Sequence, residues 1–418
     1  MAALLFERAT GEVMDRNKSG PKKGVDDEIR FARFAENSVW ESANLTPRTI
    51  CPDSGISFLT QFHCEAKMKL REMAMAVLLS GAAASAPSLM CQVPATLQPF
   101  VKIDAPVLVL ENVRVIDGTG APAKENQAIV IENGKITRVD SGEGRLFPTG
   151  AKILEMSGKT VYPGLVGMHE HLFYPLPDGG PGLLPLYGEM ADSAPRLYLA
   201  GGVTTARTAG SLEPYTDISV KQAIDAGQIP GPKLFLTGPY LEGSPSIGPQ
   251  LHALTGPEDA ARLVDYWSAE GMTSFKAYMH ITPEELKAAV DHAHEHGIKV
   301  TGHLCAVGFK EAAALGIDNL EHGLAVDTEF YSQKKTGVCP GQHPPQAELA
   351  KMDVEGADIQ GTIKDLIAHH VAITSTLAIF ESFVPNRPPM SEEMRVRTSL
   401  LPDAWGSYTT TRAGHRGA

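Results

Sequence analysis

Five side chains, far apart along the chain, are of types that can hold metal ions. His169-Glu170-His171 is an H-x-H triplet. Residues i and i+2 of a strand share one face, so both imidazoles can aim at one ion while Glu170 points away. Lys276, in SFKAYM, has apolar neighbours on both sides; an inward-facing lysine must give up its charge or find partners, because an unpaired buried ammonium is costly. His303, in KVTGHLC, and His322, in DNLEHGL, complete the set. Taken singly, each has an ordinary explanation: chance surface pairs for H-x-H, a snorkelling strand-end lysine, a satisfied core or loop histidine. As an ordered set at the ends of expected strands one, four, five and six they are hard to explain as packing, and they point to a shared metal site on one rim of the fold.

The elements that must position them are strands alternating with amphipathic helices. From 107 to 139 the chain reads strand, turn, strand, with Asn133-Gly134 as a hairpin signal. KILEMSGKTVYPG leads out of this small β domain, expected to be β-sandwich-like over 96–163. From Leu165 onward, strands are expected at 165–171, 203–207, 233–237, 274–279, 299–304, 319–324 and 372–377, and their alternation with helices implies a parallel sheet. The clearest helix start is Thr282-Pro283-Glu284-Glu285, with Thr282 as cap, Pro283 in the first position and Glu285 closing a capping box. Leu286, Ala289, Val290 and Ala293 then fall on one face, and Gly297 ends the helix. The expected fold class is therefore α/β, a TIM-type (β/α) barrel over 164–418. A TIM barrel has eight strands and seven are counted, so the eighth is expected to be lacking.

Composition excludes several classes. The 418 residues are 43% hydrophobic and 21% charged, enough for a large core. A formal net charge of -12 with no basic block disfavours a nucleic-acid partner. No apolar stretch is long enough for a stable membrane span, and no G-x-S-x-G elbow supports a serine hydrolase of the α/β type. The five cysteines, at 51, 64, 91, 305 and 339, show no C-x-x-C spacing, so neither a disulfide framework nor a zinc ribbon is expected. From Met68 the chain reads MKLREMAMAVLLSGAAASAP, the basic, apolar, small-residue order of a secretory signal. If translation starts at Met68, the protein is exported to a periplasm or secreted and 1–67 is an extension; otherwise it is cytoplasmic. The expected organisation is thus 1–67 extension, 68–95 signal-like segment, 96–163 β domain and 164–418 barrel.

The motifs GKTVYPGLVGMHEHL, GGVTTART, SFKAYM, GIKVTGHLC and LGIDNLEHG resemble the amidohydrolase superfamily, most of all its imidazolonepropionase-related and prolidase-like members, over about 107 to 400. The resemblance implies two divalent metal ions, zinc as a rule, bridged by a carboxylated Lys276. His169 and His171 would hold the more buried ion, and His303 and His322 the more exposed one. Lys276, His303 and His322 would then carry the catalysis, with a metal-activated hydroxide attacking the amide carbonyl of a small substrate. The family often has an aspartate where Gly167 stands. Its aspartate after strand eight has no counterpart here, since Asp403 in LLPDAWG follows a helical segment. The chain is accordingly read as a truncated or frame-shifted product.

Tyr278 shares a strand face with Lys276 and is the expected substrate contact, with His280 and Tyr240 weaker choices of the same kind. His292, His294 and His296 are read as solvent-facing, His369 and His370 as a helix-end pair suited to the dipole, and Cys305 as a small buried hydrophobe. The strand-end loops 175–189, 238–256 and 325–357 would set specificity but carry no readable code. The leading expectation is a hydrolase of non-protein amide bonds in dipeptides, N-acyl amino acids or cyclic amides. The alternative is an inactive metal binder, and a homo-oligomer is left open.

Overall fold

The computed structural model describes residues 93–141, 144–175, 186–341 and 343–382. The extension, nearly all of the signal-like segment and Asp403 lie outside them. Among the described residues no helix is long and apolar enough to cross a membrane.

The first sheet is built from β1 (Val107–Val115), β2 (Lys124–Glu132), β3 (Lys135–Ser141), β4 (Lys152–Glu155) and β5 (Thr160–Val161). β1 pairs antiparallel with β2, and β2 with β3, while β4 and β5 run parallel to β1. Asn133 and Gly134, both at positive φ, make the β2–β3 turn, as a two-residue type I′ hairpin requires. The expectation of a sandwich is corrected: the described strands form one mixed sheet. Its faces carry two small apolar clusters, around Leu110, Val113, Ile129 and Val161 and around Val109, Ala128 and Val130. Only the central strands β1 and β2 carry buried residues on both faces, while β3 and β4 are largely exposed.

The second part begins with β6 (Leu165–Glu170) and a hairpin of β7 (Phe173–Pro175) and β8 (Tyr187–Glu189). Then follow α1 (Ser193–Ala200), β9 (Val203–Thr208), α2 (Pro214–Asp225), β10 (Lys233–Phe235), β11 (Thr237–Leu241), α3 (Pro257–Ala269), β12 (Ser274–Ala277), α4 (Pro283–Glu295), β13 (Lys299–Gly302), α5 (Phe309–Ala314), β14 (Asn319–Glu321), α6 (His343–Leu349), α7 (Ala357–Ala368), β15 (Ala372–Thr374) and α8 (Leu377–Ser382). All seven expected strands are present. The third is split in two because it changes neighbours midway: β10 pairs with β9, and after Leu236 the chain continues as β11 against β12. Thr237 fastens the change of partner: its N–H donates to Thr208 Oγ1 at 2.8 Å, and its hydroxyl lies 2.6 Å from Ser274 Oγ.

The parallel strands form two sheets, β10–β9–β6 and β11–β12–β13–β14–β15. Among the described residues no strand joins β15 to β6, so the expected barrel is an open arc rather than a closed ring. One apolar core lies between strands and helices, including Phe275, Leu286, Val290, Val300, Phe309 and Leu320. The α4 cap is as expected: Thr282 Oγ1 accepts from the Glu285 N–H at 3.2 Å, and the Glu285 carboxylate accepts from the Thr282 N–H at 2.9 Å.

Candidate active site

All five expected ligand residues are brought together inside the arc. The imidazoles form a chain of neighbours: His171 and His169 have ring centroids 5.1 Å apart, His169 and His322 4.8 Å, and His322 and His303 4.6 Å. Lys276 is 1% exposed, and its Nζ lies 3.5 Å from His169 Nε2. Burial pulls this ammonium down to about 8. Burial also lowers the four histidines, His303 to about 3, with the Lys276 charge acting in the same direction. The site therefore presents four neutral imidazoles, each with a lone pair available at neutral pH.

Local backbone geometry explains the convergence. His169 and His171 are two residues apart and share a face, as expected. Glu170 folds back over Gly167: a Cβ placed at 167 would lie 2.4 Å from the Glu170 carboxylate. That packing leaves no room there for a longer side chain while Glu170 stays where it is. Glu321 and His322 are consecutive, and in an extended strand they would face opposite sides. His322 instead has φ 69°, in the left-handed region. The turn lets both neighbours reach His169, Glu321 by a hydrogen bond and His322 by ring contact. His322 Nδ1 is fixed 2.6 Å from Thr376 Oγ1.

Glu321 and Arg207 were not singled out from the sequence. Glu321 is fully buried and takes donors from His169, Arg207 and Thr301. Burial alone would raise its carboxyl, but His169, Lys276 and Arg207 outweigh that and hold it well below the ordinary range. Arg207 also donates to the Met168 carbonyl from Nε at 2.9 Å. The only signal in the sequence was a charged residue next to an expected ligand in LEHG and another in TTART.

Tyr278, the expected substrate contact, has its ring 5.2 Å from His303 and 4.5 Å from Tyr240. Burial raises both phenols. His280 is drawn to the side, its Nδ1 2.7 Å from the buried Glu242 carboxylate. His292 and His296 pair with Asp265, and His294 with Asp318, on the outer surface of α4. His369 Nδ1 donates to the Asp365 carbonyl in the last turn of α7, 2.8 Å away, as a helix-end histidine should. Cys305 is corrected: it is buried, yet disulfide-bonded to Cys339. No spacing rule points to a pair 34 residues apart whose partners meet only in the fold.

As placed, no three His, Cys, Asp or Glu side chains among the described residues close into a set that could hold an ion. The donor chemistry nonetheless suits one. The imidazoles are neutral and contiguous, and the buried His171 Nδ1 has no hydrogen-bond partner of normal geometry. Nitrogen donors with an oxygen-bearing bridge are a set that borderline divalent ions accept.

Residues 160–356 match the model of the amidohydrolase family. The chain thus carries an amidohydrolase-family domain, the α/β fold of a family of hydrolases whose members typically use divalent metal ions. Dihydroorotases of Pelobacter propionicus and Geobacter sulfurreducens are each 34% identical over 110 residues, 26% of this chain. The matched stretch spans 23% of the length of each relative. Among solved structures, a Xaa-Pro dipeptidase with bound methionine in its active site is 20% identical, covering 73% of this chain and 77% of its own, with a TM-score of 0.48. A bottromycin amidohydrolase is 18% identical, covering 77% and 66%, with a TM-score of 0.46.

Proposed function

We propose that this protein is a metal-dependent amidohydrolase that cleaves C–N bonds of small amides, such as dipeptides, N-acyl amino acids or cyclic amides. The observation that carries the proposal is the buried Lys276 amine set against His169 within a run of four neutral imidazoles. His169 and His171 would hold one ion, His303 and His322 a second, with Lys276 bridging as its carbamate. A lysine this far depressed has a reactive neutral fraction at neutral pH, which the addition of carbon dioxide requires. Divalent ions, zinc being the species expected, would supply a polarised carbonyl and a water whose pKa falls to about 7. Tyr278, next to His303, is placed to orient the substrate, and the buried walls around Tyr240 keep bulk water from the reacting bond.

The test is reconstitution with zinc followed by assay on a panel of dipeptides, N-acyl amino acids and cyclic amides. Two bound equivalents with turnover that His303→Ala abolishes would support the reading. Bound zinc without turnover on any of the panel would favour the inert metal-binding alternative, and no stoichiometric binding would sink both.

A further inference from the structure

Glu321 is tied to four strands at once. It sits at the end of β14, and its Oε1 accepts from Arg207 Nη2 of β9 at 2.6 Å and from Thr301 Oγ1 of β13 at 2.6 Å. Asn319 Nδ2 adds a longer contact to the same oxygen at 3.3 Å. Oε2 is left to face His169 Nδ1 of β6 at 2.7 Å. A carboxylate ringed by a guanidinium and a hydroxyl acts as an acceptor only, so the proton in the last contact sits on the imidazole. The tautomer of His169 follows: Nδ1 carries hydrogen, and Nε2, which looks toward Lys276 Nζ, carries the lone pair.

We infer that Glu321 is the positioning residue that assigns His169 its Nδ1–H tautomer and thereby points the Nε2 lone pair into the site. The inference rests on the reading of His169 as a metal ligand, and it deepens that reading by naming what makes the ligand competent. Because Glu321 takes donors from both parallel sheets, the same carboxylate also fixes His169, on the first strand of the arc, against β13 and β14, to which no ladder joins it among the described residues. Outer partners of this kind typically change metal affinity about 10–100-fold when altered.

Glu321→Gln sharpens the test, being the same size and shape. Arg207 and Thr301 still demand an oxygen, so the amide NH2 is turned toward His169 Nδ1, a donor where an acceptor stood. His169 must then accept at Nδ1 and carry its proton on Nε2. The full chain, labelled with 15N at histidine and free of metal, is compared by long-range 1H–15N correlation in wild type, Glu321→Gln and His169→Ala, the last assigning the His169 signals. Zinc affinity is measured on the same three proteins by chelator competition. The expected result is an Nδ1–H tautomer in wild type, Nε2–H in Glu321→Gln, and zinc binding about 10–100-fold weaker in that variant. An Nε2–H tautomer in wild type overturns the inference without any variant being needed. So does a Glu321→Gln protein with unchanged tautomer and affinity. If wild type and His169→Ala bind zinc equally, the ligand reading of His169 fails instead, and the tautomer comparison still decides the role of Glu321.

Discussion

Lys276 Nζ lies 3.5 Å from His169 Nε2, two nitrogens with no carboxylate between them. At that distance Nζ can donate to the imidazole lone pair on Nε2, which couples the lysine to the histidine. Replacing Lys276 by Met keeps an apolar chain of similar length in the core, so the variant is expected to fold. It should lose hydrolysis by more than the roughly 10–100-fold typical of changes outside the ligand set. Zinc stoichiometry by elemental analysis should fall from two to one or fewer. Full stoichiometry with full activity in Lys276→Met would remove the lysine from the mechanism.

Asp327 gives a pH dependence away from the ligands. Its Oδ1 accepts from the N–H groups of Phe309 at 3.3 Å and Glu329 at 3.1 Å, while Oδ2 is buried without a partner. Burial and the nearby Glu329 raise the carboxyl to about 8. Unfolded, the same group titrates near 3.9. Between about pH 4 and pH 8 the native state therefore holds a proton that the unfolded chain has released, and stability falls as pH rises through that window. Asp327→Asn keeps the acceptor and removes the titration. Its melting temperature should decline less between pH 5 and pH 8 than that of wild type. Parallel declines in the two proteins would show that Asp327 is not the titrating group.

The Cys305–Cys339 bond joins the residue two past His303 to a loop 34 positions on. Thr328 Oγ1 donates to the Cys305 carbonyl at 2.6 Å, and Lys334 Nζ to the Ala306 carbonyl at 2.8 Å, so the loop is fastened at several points. Closing a loop of this size in the unfolded chain is worth about 3–4 kcal/mol on the entropy model. Cys339→Ser should lose stability on that scale in urea unfolding, and dithiothreitol should lower the midpoint of wild type but not of the variant. Equal midpoints for wild type with and without reductant would mean the bond contributes nothing. Bonds of this kind persist in oxidising compartments, which gives a second reason, beside the signal-like segment after Met68, to propose export.

Much of this architecture was legible in the chain. The parallel strands read as short apolar runs alternating with amphipathic helices, which is why all seven were found, and the α4 cap was written in Thr282 and Glu285. The five residues proposed as ligands stood out because each imidazole or amine stands in or just beyond the end of a strand. What escaped had tertiary causes. Glu321 and Arg207 look like ordinary strand charges until the fold buries them against one another. The split after Leu236 depends on which neighbour each half meets. The β7–β8 hairpin hides in a Pro- and Gly-rich stretch that reads as loop, and the cystine needs the 325–341 segment to return to the end of β13.

The left-handed residue at 322 sets a limit on how this centre can be altered. A non-glycine side chain in that region carries strain of order 1–3 kcal/mol, here accepted by an imidazole that the neighbouring rings and Thr376 hold in place. Asparagine or glycine would relieve the strain and yield a sturdier but emptier pocket, whereas valine or isoleucine would press the backbone back toward an extended path and swing Glu321 away from His169. Stabilising this protein by consensus or library selection at that position would therefore select against the arrangement on which the proposed chemistry depends.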